Sequence, residues 1–175
     1  MAYCLQKLAG ISPDCNNGNK GGIKEVYIAN YGDVKAVAET DGTITAITMN
    51  ETAKFKTYTF RRGTANSMTS TLNVDEANGI SNVTTVLSLV FTRQDTAKRI
   101  EMTALSLGQL VAIVRDGNGK LWYLGKDDYL AASAGGAETG TAGTDRNAYT
   151  LELSDTSETY PYEVSEAALA DIVEA

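Results

Sequence analysis

The sequence predicts a mainly β fold: an antiparallel β-sandwich or barrel with one flanking α-helix at about 96–107 and a long hairpin at 67–93. Three observations carry this prediction. Short runs rich in Val, Ile, Thr and Tyr recur from residue 23 to residue 164, punctuated by Asn, Asp and Gly. One internal stretch alone repeats its apolar residues at helical spacing. The 175 residues are 43% hydrophobic and 21% charged, which provides for one buried core and excludes a disordered or collagen-like chain.

The elements follow in order. Residues 1–22 read as an N-terminal arm, because 12–22 combines Pro13 with three asparagines and three glycines, too many turn formers for regular structure. A domain over 23–164 then begins with four β-prone runs, 23–29, 34–39, 43–49 and 55–61, whose short separations suggest an antiparallel meander. Runs 67–74 and 79–93 flank Asp75-Glu-Ala-Asn-Gly79, a hairpin turn ending in glycine. Along the outgoing strand Met68, Ser70, Leu72 and Val74 share one face, and Thr69, Thr71 and Asn73 the other, so one face packs while a Thr/Asn row meets water.

Asp95 is placed to cap the helix at 96–107, and Gly108 stands where a left-handed C-terminal residue belongs. Ala97, Ile100, Ala104 and Leu107 recur at spacings of three, four and three, which predicts that Ile100, Ala104 and Leu107 form the buried stripe. A second hairpin, 110–115 with 120–124, turns through Asp116-Gly-Asn-Gly119. Residues 131–147 carry no large apolar group and read as a mobile loop or an arm ordered by a neighbour. Strand character returns at 148–154 and 160–164, and 165–175 reads as a short C-terminal helix, over 166–173, or a tail.

Charge and residue counts exclude several functions. The net charge of −7 is wrong for gripping a phosphate backbone. It is also uneven: 126–175 holds eleven acids against Lys126 and Arg146, whereas 1–125 is net +2. That split fits either a solvated acidic tail or unlike surfaces that meet between subunits. The chain has no histidine, which removes a Ser-His-Asp triad, a Cys-His dyad and any His-containing metal site. Asp127-Asp128 and Asp75-Glu76 lack the partners that metal or acid–base chemistry needs, and no Lys-Ser/Thr follows Gly135-Gly136 or Gly140. The doublets Arg61-Arg62 and Lys98-Arg99 read as surface charge. No catalytic, cofactor-binding or metal residue is predicted, so the expectation is a non-enzyme without cofactors. Cys4 and Cys15 have no second pair for a zinc site, and neither a signal peptide nor a membrane span is legible. A cytosolic origin with reduced thiols follows, a Cys4–Cys15 disulfide being the alternative.

The run from Thr92 to Gly125, containing Gly119-Lys-Leu-Trp-Tyr-Leu-Gly125, followed by Tyr149-Thr-Leu-Glu-Leu153 and Tyr160-Pro-Tyr-Glu-Val164, resembles tailed-bacteriophage tail tube proteins. The resemblance spans roughly 23–164 and includes the order of elements. It implies a β-sandwich with a flanking helix, homo-hexameric rings that stack, and a lumen lined by long hairpins through which DNA passes without specific binding. Thr69, Thr71 and Asn73 become the candidate lumen-facing residues. Other tail proteins are implied as partners, no membrane is, and the implied location is the virion, assembled in the bacterial host cytoplasm. The competing classes are a capsid decoration or head-fibre protein and a small-ligand barrel, for which Trp122 and 7% aromatic residues offer little apolar interior.

Overall fold

A computed structural model describes residues 7–15 and 17–174. Its strands are β1 (Ile23–Asn30), β2 (Val34–Thr40), β3 (Thr43–Met49), β4 (Lys56–Thr59), β5 (Ser67–Asp75), β6 (Ile80–Thr92), β7 (Leu110–Asp116), β8 (Leu121–Leu124), β9 (Ala131–Glu138), β10 (Ala148–Ser157) and β11 (Tyr162–Val164). Two α-helices, α1 (Thr96–Leu107) and α2 (Glu166–Leu169), accompany them. A seven-stranded sheet runs in the order β2-β3-β11-β8-β7-β1-β4 and a four-stranded sheet in the order β5-β6-β10-β9. The fold is a sandwich and not a barrel, since neither sheet closes on itself.

The predicted meander is corrected. Of β1 to β4 only β2 and β3 pair as consecutive strands, whereas β1 lies between β4 and β7, with Val26 opposite both Tyr58 and Val114. The physical reason lies in β1 itself. Val26 and Ile28 point to one side and Tyr27 and Ala29 to the other, all four are buried, and only an inner strand can cover both sides.

Two apolar layers result, one on each face of the seven-stranded sheet. Val26, Ile28, Leu110, Ala112, Val114 and Leu124 pack against Leu87, Leu89, Leu151 and Leu153 of the second sheet. On the opposite face Tyr27, Val111, Ile113 and Tyr123 meet Ile44, Phe55, Val164 and α2 residues Ala168 and Leu169. Each large side chain so buried contributes roughly 1.5–3 kcal/mol.

Helix α1 has the predicted limits, and Asp95 Oδ1 accepts from Lys98 N–H at 2.8 Å as a cap should. Its buried face is not the predicted one. Ile100 is 58% and Leu107 83% exposed, Ala104 is exposed as well, and Leu105 is the residue that enters the core. The helix carries two apolar stripes; the one through Met102 and Leu105 packs with Leu110 and Leu130, while Glu101 beside it accepts the Tyr58 hydroxyl. Gly108 is not left-handed either, at φ −79° and ψ 152°. A side chain there would put Cβ 2.8 Å from Leu110 Cδ2 and 3.2 Å from Ala104 O, so the site is tight and the Leu110 side chain would have to shift to admit it.

Residues 131–138, predicted as part of a mobile loop, form strand β9 against β10. Main-chain pairing needs no large side chain, and small residues let the strands approach: a Cβ on Gly135 would lie 3.0 Å from Thr150 O. Residues 139–147 make the return, where Asp145 Oδ2 accepts from the N–H groups of Thr141 (2.8 Å) and Ala142 (2.7 Å). The described arm residues carry no strand before Ile23 and are exposed, and the arm is tied down at its end. Lys20 N–H donates to Asn118 Oδ1 at 2.7 Å and Gly117 N–H to Gly22 O at 2.8 Å. A Cβ on Gly117 would sit 2.6 Å from Gly21 O, which is why a glycine stands there.

The C-terminal helix is shorter than the predicted 166–173, because the chain after Leu169 leaves it to pair with Phe55. Phe55 N–H donates to Ile172 O (2.8 Å) and Glu174 N–H to Phe55 O (3.0 Å). Among the described residues no helix is long and apolar enough to cross a membrane.

Candidate assembly surface

The four-stranded sheet buries one face and turns the other outward. Leu87 lies opposite Met68 and Leu153, and Thr85 opposite Ser70 and Asp155, on the inner face. The alternate row therefore points out, and it contains Thr69, Thr71 and Asn73, opposite Val86, Thr84 and Asn82. All three candidate residues are exposed. Asn73 Nδ2 donates to Asn82 Oδ1 and to Thr84 Oγ1, both at 3.0 Å, so the polar groups satisfy one another across the ladder. Glu152, Ser154 and Thr156 of β10 and Ala134 and Gly136 of β9 continue the row. The outward face is thus made of short, mostly neutral side chains with no lysine or arginine in its paired strands.

Its borders are open. Strands β5 and β9 each have a neighbour on one side only. Neither contains lysine, arginine or proline, the usual devices against edge-to-edge pairing; each carries one acid, Asp75 or Glu138, at its end. Residues 133–138 are exposed along β9, and 71–75 along β5. Beyond the sandwich the hairpin continues as a bare arm. Leu72 and Val74, expected on a packed face, are 49% and 60% exposed, because the core ends near Met68 and Ser70.

Among the described residues no three His, Cys, Asp or Glu side chains are grouped so that they could hold a metal. Asp127 Oδ2 accepts Glu158 N–H at 3.1 Å and Asp128 Oδ1 accepts Tyr129 N–H at 2.8 Å, so this pair shapes a loop. Asp75 accepts from Asn78 at the hairpin tip, which holds its carboxyl below the usual range. Cys15 is exposed, and Cys4, with the question of a disulfide, lies outside the described residues.

Two charged groups escaped the sequence reading. Asp155 is buried on β10, where its Oδ2 accepts Gly125 N–H at 2.8 Å while Oδ1 has no partner; burial raises its pKa, and the nearby Asp127 and Asp128 add to the rise. Arg115 grips both carboxylate oxygens of Glu166 at 2.7 and 3.2 Å. Its Nε lies 3.2 Å from Glu25 Oε2, close enough for an ion pair though without a hydrogen-bonding angle. This network pins α2 to β7 and β1, and the Arg115 hydrogen bonds pull the Glu166 carboxyl below its usual range. No local pattern marked either group, since their partners lie far along the chain. Comparison with family models, curated proteins and solved structures found no match.

Proposed function

We propose that this chain is a virion structural protein that self-assembles into hexameric rings, stacked as the tail tube of a bacteriophage, through which DNA leaves during ejection. The observation that carries the reading is the four-stranded sheet, which joins a wetted outer face without basic side chains to two unguarded borders. Placing β5 of one copy beside β9 of the next continues the sheet from subunit to subunit. Such a contact is heterologous, and a ring is its closed form. The row Thr69, Thr71 and Asn73 then looks into the lumen, where short uncharged side chains offer DNA neither counter-charges nor a greasy patch. The net charge of −7 per copy works in the same direction. Neither catalysis nor a cofactor has a part in this reading, and the protein acts in the virion after assembly in the host cytoplasm.

Electron microscopy of the purified chain tests it. Six-fold rings or hollow tubes are the expected outcome. Trimeric spikes or capsid-bound monomers would replace it with a head-fibre or decoration protein. The lumen assignment has its own test: virions carrying Thr71→Lys should assemble, retain passing DNA and eject slowly, and salt should relieve the defect by screening. Normal ejection from such tubes would remove the three residues from the lumen.

A further inference from the structure

Two features at opposite ends of strand β6 have no partner within the molecule. At the Ile80 end, the hairpin tip exposes Leu72 (49%), Val74 (60%) and Ile80 (46%) around the acids Asp75 and Glu76. At the Phe91 end lies a groove of two adjoining hollows, about 420 Å³ and about 220 Å³, that share Thr59, Phe91 and Lys98 as walls. Its floor is aromatic: Phe91 contacts Tyr58 edge-on at 6.0 Å between centroids and Phe60 at 5.6 Å. Its rim carries three bases, Arg61, Arg93 and Lys98, and one acid, Glu101, whose carboxylate accepts the Tyr58 hydroxyl. Lys98 pairs with Asp95, whereas Arg61 has no ion pair among the described residues. Arg93 holds a left-handed backbone, φ 64°, anchored by its N–H on Asn147 O at 2.7 Å. A positive φ is costly for an arginine and is kept here beside the groove.

We infer that the hairpin tip of one copy docks in the Tyr58–Phe60–Phe91 groove of a second copy. The match is chemical. The tip presents Leu72 and Val74 on one face, with Asp75 and Glu76 at its end, and the groove presents an apolar floor with three bases to one acid on its rim, so docking would cover exposed leucine and valine while opposite charges meet at the rim. The match is also geometric. Strand β6 has thirteen residues, which at about 3.3 Å each separates tip and groove by roughly 40 Å, so no molecule fills its own groove. Copies joined this way follow one another head to tail along the strand direction. The inference rests on the tube reading only for calling that direction axial: border pairing then runs around each ring, and tip-in-groove contacts hold one ring on the next.

The test uses the full chain with Glu76→Arg, Arg61→Glu, and an equimolar mixture of the two, followed by sedimentation velocity and electron microscopy. Both residues are exposed and their side chains make no hydrogen bond or ion pair among the described residues, so circular dichroism should match the parent. Each single variant should need about tenfold more protein to assemble lengthwise, and the mixture should return to within about twofold of the parent, because reversed tips fit reversed grooves and unreversed tips fit unreversed grooves. The uncharged variant Leu72→Ser with Val74→Ser should weaken assembly similarly, without rescue by Arg61→Glu. Parent-like stacking by all variants, or loss without rescue in the mixture, would overturn the inference. Parent rings that stack whatever the tip carries would do so while leaving the tube reading intact. Single-file filaments that need tip and groove, without rings, would uphold the inference and defeat the tube. A parent chain that stays monomeric would defeat both.

Discussion

The two sheets of this sandwich treat their borders in opposite ways. The seven-stranded sheet guards its own: edge strand β2 carries Lys35 and Glu39 and two register shifts, with Glu39 bonded to Lys126, while residues 172–174 lie along the start of β4 and Glu174 pairs with Lys56. It is also buried on both faces. The four-stranded sheet is buried on one face only and leaves β5 and β9 bare, apart from one register irregularity between β9 and β10. Charges, bulges and straps are what proteins use to keep strand edges from pairing. Their concentration on one sheet and scarcity on the other suit a division of labour: the larger sheet holds the chain folded, and in the tube proposed above the smaller one faces other copies.

That division can be broken or sharpened by substitution. The largest effect belongs to the larger sheet: Ile113→Ala, at a fully buried position in β7, should lower stability by about 2–5 kcal/mol in urea unfolding and leave the assembly of folded chains unchanged. Next comes Ala134→Lys, which puts a charge on the open border of β9 and should raise the ring-forming concentration about tenfold in sedimentation. Its melting temperature should stay near the parent's, and unimpaired rings would break the comparison. Removing the α1 cap with Asp95→Ala should lower the melting temperature by less than Ile113→Ala does, since it loses one exposed capping hydrogen bond.

A pH effect separates the sheets too. Because burial raises the Asp155 pKa above its ordinary 3.8, the folded chain binds that proton more tightly than the unfolded chain does. This group therefore stabilises fully below the unfolded value, and its contribution is lost as pH rises through that value and the raised folded one. Denaturation followed across mildly acidic pH should show this loss in the parent, and Asp155→Asn should flatten it. The smallest change is Ile100→Ser with Leu107→Ser on the exposed helix stripe, within about 0.5 kcal/mol at each site by the same assay, against about 2–5 kcal/mol for Leu105→Ala.

Much of this layout was legible in the residues, and the failures have a common cause. Turn residues identified the long hairpin and the 110–124 hairpin, and alternation separated the two rows of β5, because turn chemistry and period two are local properties. It said nothing of neighbours, so β1 was read beside β2 when its partners come from β4 and β7, and the parallel contact of β3 with β11 had no local sign. Composition hid β9, whose Ala-Ala-Ser-Ala-Gly-Gly-Ala-Glu run is held by main-chain bonds to β10. On α1 the periodicity was right and the face wrong, since the burial of Leu105 is decided by Leu110 and Leu130 across the interior. The candidate row Thr69, Thr71 and Asn73 is exposed as read, whereas the exposed tip required knowing where the core stops. The groove around Phe91 draws on three separated segments, and no spacing rule unites them.

Strand β7 ties the two apolar layers into one cooperative unit, since Val111 and Ile113 enter one layer and Leu110, Ala112 and Val114 the other. Neither layer can open while the other keeps β7 in place. The amide protons of this strand should accordingly be the last to exchange with deuterium, and only through opening of the whole molecule. Those of the hairpin arm beyond Ser70 should exchange within local fluctuations. In the assembly proposed above, a subunit built this way can reshape its contacts with neighbours at the arm while its interior stays locked.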